Sequence, residues 1–186
     1  YTHDNVQGTH TLLEACRKYN NNNNNNKINR FIHISTDEVY GESMLNENEE
    51  KKNENSILCP TNPYAATKAA AELIAKSYYH SFKMPIIITR GNNVYGPNQR
   101  PNHQYAAVIP KWIWKAMNNE AIDVYGDGSQ TRDFTYVRTV LDVVDDALNR
   151  GVRTEGTVNL AYGNRISLLE TIELLKSHFP DLKVNF

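Results

Sequence analysis

Arg30-Phe31-Ile32-His33-Ile34-Ser35-Thr36-Asp37-Glu38-Val39-Tyr40-Gly41 is the stretch on which the reading of this chain turns. Its first five residues have the apolar, β-branched character of a buried strand, and the run ends in hydroxyls, two adjacent carboxylates and a glycine. Proton-handling groups gathered at the end of a strand stand where α/β folds place their chemistry. Asp37 and Glu38 are neighbours, so an extended backbone points them to opposite sides, which predicts two separate roles better than one shared proton. Taken alone, the same residues also fit a bland strand end: Thr36 as an ordinary β-branched residue, Asp37 opening a turn and Glu38 solvated.

Outward from this strand, helical and extended patterns alternate. The first twenty residues read as a helix with Val6, Thr9, Leu12, Leu13 and Cys16 on one stripe, followed by the asparagine tract Asn20–Asn26, which can bury nothing and reads as an inserted loop. A second polar loop, Asn46–Asn55, follows the carboxylates. Beyond it come a strand at Pro85–Thr89, a helix at Ala106–Asn118, a strand at Ile122–Tyr125, a helix at Val140–Asn149, a strand at Gly156–Leu160 and a helix at Leu168–Phe179. The alternation predicts an α/β fold with a largely parallel sheet.

Between the polar loop and the next strand lies Asn62-Pro63-Tyr64-Ala65-Ala66-Thr67-Lys68. Asn62 and Pro63 suit an N-cap and a first helical position, and the following residues are strong helix formers, so Tyr64 and Lys68 share one helix face. Holding a tyrosine as phenolate at neutral pH means lowering its pKa by three units, roughly 4 kcal/mol, and a lysine one turn away supplies part of that. Such a pair would be a general base beside a hydride acceptor. By itself Tyr-x-x-x-Lys equally describes a solvated helix face.

Composition closes off several functions. A chain of 186 residues with 40% hydrophobic and 22% charged residues suits a soluble domain, and a formal net charge of −1 offers no general attraction for nucleic acid or an anionic membrane. No apolar run approaches a membrane span. Two cysteines, Cys16 and Cys59, make no disulfide framework, and the six histidines lack zinc-motif spacings, so no metal is expected. The absence of any Asn-x-Ser/Thr sequon agrees with a cytoplasmic location.

Three motifs in register carry a family resemblance: Ser35-Thr36-Asp37-Glu38-Val39-Tyr40-Gly41, Pro60-Thr61-Asn62-Pro63-Tyr64-Ala65-Ala66-Thr67-Lys68, and Thr89-Arg90-Gly91-Asn92-Asn93-Val94-Tyr95-Gly96-Pro97-Asn98-Gln99. Together they resemble the extended short-chain dehydrogenase/reductases, specifically the NAD-dependent nucleotide-sugar (UDP- or dTDP-glucose) 4,6-dehydratases. The resemblance implies a Rossmann-like doubly wound parallel sheet with part of a smaller substrate-binding subdomain. Residues 1–100 would be the C-terminal part of the NAD-binding domain, and 101–186 a mixture of subdomain and remaining Rossmann elements. It implies NAD as cofactor, a nucleotide-sugar substrate and a homodimer. By the same resemblance Tyr64 is the base at the sugar 4-hydroxyl, Lys68 holds the nicotinamide ribose and Thr36 hydrogen-bonds the reacting oxygen. Glu38 would remove the C5 proton and Asp37 would protonate the departing 6-hydroxyl. Asn93 would contact substrate, the backbone at Val94 would lie near the nicotinamide, and Arg132, in Tyr125-Gly126-Asp127-Gly128-Ser129-Gln130-Thr131-Arg132-Asp133-Phe134, would reach the diphosphate through its fork of donors.

The chain also departs from that pattern. The glycine-rich turn that cradles the NAD pyrophosphate, and the strands before it, are not in this sequence, nor is the family's C-terminal segment, so the chain reads as a fragment that is inactive by itself. Residues 102–107 replace a shorter segment, removing a lysine expected near substrate, and 138–141 read as an insertion. A 4-epimerase or decarboxylase of the same superfamily, and a catalytically silent binding module, are the competing readings. The Asp37-Glu38 pair argues for the dehydratase. UDP and dTDP both stay open as the nucleotide, with UDP-glucose slightly favoured.

Overall fold

The computed structural model describes residues 1–23, 27–42, 51–103, 105–150 and 156–186. Parts of both polar loops expected from sequence, and Gln104, lie outside these. The described residues divide into two units, one of Tyr1–Gly91 with Asp142–Leu160, the other of Asn92–Leu141 with Ala161–Phe186. No helix among them is long and apolar enough to cross a membrane.

The first unit is built on a parallel sheet in the order β1 (Phe31–Thr36), β2 (Ile86–Gly91), β5 (Gly156–Leu160). Phe31 pairs with Ile86 and Thr36 with Gly91, while Ile87 pairs with Gly156 and Gly91 with Leu160. β2 is central and buried on both faces, as a continuous apolar run requires in a parallel sheet. A wide-wound helical segment, Thr2–Gly8, leads into α1 (Thr9–Asn22), and α2 (Pro63–Phe82) connects β1 to β2. Leu13 of α1, Ala75 and Tyr78 of α2, and Met84, Ile86 and Ile88 form one apolar core. α1 runs into the asparagine tract instead of stopping before it, because asparagine side chains satisfy the backbone there: Asn23 Nδ2 donates to the Tyr19 carbonyl at 2.8 Å, and Asn20 Oδ1 accepts from the Ile28 N–H at 2.7 Å.

In α2 the expected cap forms. Asn62 Oδ1 accepts the Ala65 N–H at 2.8 Å, Pro63 takes the first turn, and Lys83 closes the helix in the left-handed conformation at φ 55°. Ala65, Ala69, Ala71 and Ala75 are buried, and such small side chains let a helix backbone approach its neighbours closely. Tyr64, Lys68 and Glu72 then fall at successive turns of one face.

Glu72 and Arg90 anchor this arrangement. Arg90 is 1% exposed and Glu72 0%, and the guanidinium donates from Nε at 3.1 Å and Nη2 at 2.7 Å to the carboxylate. Arg90 Nη1 donates to the Tyr40 hydroxyl at 2.6 Å, and that hydroxyl donates to Asn159 Oδ1 at 2.7 Å. A second Nη1 bond reaches the Glu54 carbonyl, whose side chain accepts the Asn159 N–H at 3.0 Å. Strands β2 and β5, helix α2 and the segment after β1 are thus joined through one buried cation.

The second unit carries α3 (Val108–Met117), β3 (Ile122–Asp123), β4 (Thr131–Arg132), the start of α4 (Val137–Asp145), β6 (Ile166–Ser167), α5 (Leu168–His178) and β7 (Val184–Asn185). β3 pairs in parallel with β7, and β4 pairs antiparallel with β6. Trp112, Ile122, Val124, Leu168 and Ile172 form its core. A reciprocal cap starts α5: Ser167 Oγ accepts the Glu170 N–H at 3.1 Å and Glu170 Oε2 accepts the Ser167 N–H at 2.8 Å. Two boundaries differ from the sequence reading. α4 begins at Val137, so residues 138–141 are its first turns, and it passes at Asp146–Arg150 into a wider-wound turn. The strand expected over Ile122–Tyr125 pairs only through Asp123, because Gly126 and Gly128, at φ 84° and 79°, turn the chain.

Glu72→Ala leaves the Arg90 charge buried without its partner and is expected to cost about 3–5 kcal/mol of unfolding free energy, measured by denaturant titration of the full-length protein. The double substitution Glu72→Leu with Arg90→Met is expected to recover much of that stability. A single variant as stable as the parent would show that the pair is not the anchor described.

Candidate active site

Thr36, Asp37, Glu38, Tyr64 and Lys68 all belong to the first unit, at the carboxyl end of β1 and the N-terminal turns of α2. Directly after β1 the chain does not stay extended: Asp37–Tyr40 form one turn of 3₁₀ helix. Thr36 caps it, its Oγ1 accepting the Glu38 N–H and donating to Asp37 Oδ1, both at 3.3 Å. The two carboxylates therefore diverge by about a third of a turn and not by the half-turn of a strand. Asp37 comes to lie half-buried and Glu38 exposed, so the two carboxylates occupy different environments through a geometry other than that of a strand.

Gly41 ends the turn at φ 82°, and a Cβ there would run into the carbonyl oxygen of Cys59. The Cys59 N–H donates to the Val39 carbonyl at 2.9 Å, and Asn62 Nδ2 donates to Glu38 Oε2 at 2.8 Å. Those bonds hold the incoming end of the loop before α2 against the carboxylate turn.

The electrostatics are not symmetric. Burial, with the Glu38 charge beside it, pushes Asp37 from 3.8 up to about 6, so the group holds a proton well above the usual carboxylate range. Tyr64 is pushed above its ordinary value by burial, then by Glu38, Tyr1 and Asp37. This corrects the expectation that Lys68 draws the phenol down. The Lys68 ammonium donates instead to the Ile34 carbonyl at 2.5 Å, and its own pKa is lowered by burial against a rise from Glu72. The charges felt by the phenol are those of Glu38, Tyr1 and Asp37. His33, on the same strand, is held near 4 by burial and by the Lys68 charge, and is a neutral imidazole at pH 7.

Asn93, Val94 and Arg132 belong to the second unit, where they line one cavity of about 380 Å³ together with Lys111, Trp112 and Tyr125. Asn93 adopts φ 34° and donates from Nδ2 to the Asp133 carbonyl at 3.3 Å, and the Val94 carbonyl accepts from Gln99 Nε2 at 3.2 Å. Arg132 is exposed and turned to the carbonyl of Thr131. Its neighbour Asp133 forms no surface ion pair with it but accepts the N–H groups of Tyr162 and Gly163 at 3.2 and 2.9 Å.

Sequence reasoning missed Tyr40, Glu72, Arg90 and Asn159 as supports of the site, and the tie from Asn62 to Glu38. Arg90 had a signal: an arginine at the end of an apolar strand needs a buried counter-charge. Glu72, one turn beyond Lys68 in an alanine-rich helix, was the carboxylate available.

A parallel α/β sheet with a tyrosine and lysine one helical turn apart and acids at the strand end defines a Rossmann-like nicotinamide-type enzyme fold. Residues 1–161 match the NAD dependent epimerase/dehydratase family, and the chain belongs to it. It is 43% identical over 158 residues to the dTDP-D-glucose 4,6-dehydratase of Dictyostelium discoideum, the match covering 81% of this chain and 34% of that protein. A trifunctional UDP-glucose 4,6-dehydratase/epimerase/reductase of Arabidopsis thaliana is 47% identical over 152 residues, covering 81% and 21%. Among solved structures, UDP-glucuronic acid 4-epimerase of Bacillus cereus, in complex with UDP-glucuronic acid and NAD, superposes over all of this chain and 55% of its own, with TM-score 0.84 and 32% identity. dTDP-glucose 4,6-dehydratase of Bacillus anthracis with NAD gives TM-score 0.81 at 32% identity, covering 97% and 55%. The chain spans about a third and a fifth of the length of the two curated relatives named.

Asp37 binds its proton more tightly in the folded chain than in the unfolded one. Stability contributed by this group therefore falls as pH rises from 3.8 through about 6. Asp37→Asn is expected to flatten that slope, read from urea unfolding at several pH values across the window. A slope unchanged by the substitution would mean that Asp37 titrates as an ordinary carboxylate.

Proposed function

We propose that the full-length protein is an NAD-dependent nucleotide-sugar 4,6-dehydratase, converting NDP-glucose to NDP-4-keto-6-deoxyglucose and water in the cytoplasm as a homodimer. The observation that carries this reading is the unequal pair on the 3₁₀ turn: Asp37 half-buried and inclined to keep a proton, Glu38 exposed and held by Asn62. A 4-epimerase needs a base at one hydroxyl, whereas loss of water across C5 and C6 needs one group to take a proton and another to give one. The 43–47% identity to proteins named as dTDP- and UDP-glucose 4,6-dehydratases supports the same choice.

The residues present fit the cofactor. Lys68 has three ammonium donors and spends one on Ile34, which leaves two for ribose hydroxyls beside half-buried Tyr64. NAD, when bound, takes hydride from the sugar and returns it, and its cationic ring opposes the carboxylate field that holds the Tyr64 proton. Tyr64 then accepts the proton of the 4-hydroxyl, with Thr36 hydrogen-bonding that oxygen. The resulting C4 ketone acidifies the C5 hydrogen. Glu38 removes that proton while Asp37 protonates the 6-hydroxyl, which leaves as water, and the resulting C5–C6 double bond is saturated by the returned hydride at C6 and the proton given back to C5 by Glu38. In the second unit, Arg132 serves the diphosphate, Asn93 the sugar, and the backbone at Val94 the nicotinamide side. Residues 1–100 would supply the cofactor-side elements and 101–186 most of the substrate-side ones.

Mass spectrometry of products from the full-length protein with UDP-glucose and dTDP-glucose tests the reading: loss of one water is expected, and a 4-epimer of unchanged mass would sink it. Glu38→Gln is expected to reduce water loss by about 10²–10⁴-fold while C4 oxidation persists, so that the 4-keto sugar with its 6-hydroxyl accumulates. Tyr64→Phe is expected to abolish both steps, and substantial 4-keto sugar from that variant would remove Tyr64 as the base.

A further inference from the structure

We infer that Asn62 is a positioning residue for Glu38, its side-chain amide fixing the elimination base to the N-terminus of the helix that carries Tyr64 and Lys68; this rests on the elimination reading above. Asn62 makes two contacts of opposite sense from one rigid plane. Its Oδ1 accepts the Ala65 N–H at 2.8 Å and its Nδ2 donates to Glu38 Oε2 at 2.8 Å. Turning the amide over would face NH₂ to N–H and carbonyl to carboxylate, so the two partners permit one orientation only.

The choice of residue type is informative. Serine, threonine, aspartate and asparagine all cap helices well. Asparagine is the member of that set that offers an acceptor to the helix and a neutral NH₂ donor to an anion in fixed relative geometry. Glu38 needs such a donor because it is exposed on the outer side of its turn, where nothing buried confines its rotamers. The titratable groups that register its charge are Asp37 on its own turn and the Tyr64 phenol from α2, against which the Tyr1 ring packs. A neutral donor orders Glu38 without adding a counter-charge that would weaken it as a base. The contact also spans 24 residues, joining the two ends of the excursion between β1 and α2, and the Cys59–Val39 backbone bond closes the same gap beside it.

Asn62→Asp in the full-length protein separates the two functions, since the carboxylate still caps Ala65 but presents a second negative charge to Glu38. The expected result is a retained fold with a melting temperature lowered by a few degrees at most, an unchanged KM, and water loss slowed by about 10²-fold with accumulation of the C4-oxidised sugar. The acid limb of the pH profile for water loss is expected to move to higher pH, because a neighbouring carboxylate opposes ionisation of the base. Asn62→Ser, which keeps a cap but withdraws the donor, is expected to slow water loss without moving that limb. Full turnover with an unmoved acid limb in Asn62→Asp overturns the inference. Equal loss of melting temperature, oxidation and elimination in both variants overturns it too, since Asn62 is then a cap alone. A parent enzyme that oxidises C4 but never releases water defeats the elimination reading before any variant is made, and the inference with it.

Discussion

The Arg90–Glu72 pair is the constraint around which the first unit is organised. Removing both charges from water costs several kcal/mol per ion, and the interior returns that only when the geometry is close and the remaining donors are used. Here they are used: Glu72 takes Nε and Nη2, Tyr40 and Glu54 take Nη1, and the guanidinium also lies 4.6 Å from the centre of the Tyr40 ring. A pair so committed has few alternative arrangements, and every partner is one step from the chemistry. Tyr40 ends the turn that begins with Asp37. Glu72 sits one helical turn beyond Lys68. An apolar substitute could match the stability of the pair and still leave Tyr40 and α2 free to settle differently. The bonds of the pair therefore hold the Asp37–Tyr40 turn and α2 in one register against β2.

Much of this was legible in sequence because local rules and tertiary packing agree. The apolar runs that become β1 and β2, the Asn62-Pro63 start of α2 and the Gly156–Leu160 strand were all readable, since each has a side-chain pattern that only one environment suits. Departures fall where neighbouring chain overrides the pattern. Asparagines extended α1 by bonding its backbone, and positive-φ glycines cut β3 short. At the candidate site the conformation was not readable. Asp37 and Glu38 look like a strand continuing, yet the Thr36 hydroxyl captures the Glu38 N–H and winds the chain into a turn. Glu72, Arg90 and the Asn62–Glu38 contact join residues far apart in sequence, and no local pattern states such pairings.

The position of Lys68 shows how far a motif can be read without its surroundings. Spacing places it on the face of Tyr64, which is what the structure has, but spacing does not say where its ammonium points. Backbone at the end of β1 offers a carbonyl at Ile34, and the half-buried ammonium takes that acceptor. The lysine then acts on the tyrosine less as a neighbouring charge than as a fixed donor set beside it.

This has a consequence for the order of events. With burial first, then Glu38, Tyr1 and Asp37, raising its pKa, the Tyr64 phenol keeps its proton at neutral pH, and Asp37 keeps its own over much of the acid range. A site in this state is poised as an acid. On the dehydratase reading proposed above, Tyr64 becomes a base when positive charge arrives to offset the carboxylates, and the group that would bring that charge is the one that would accept the hydride. On that reading proton removal and hydride removal would be tied to one binding event, and the carboxylates that oppose the first step would be the groups that serve the second.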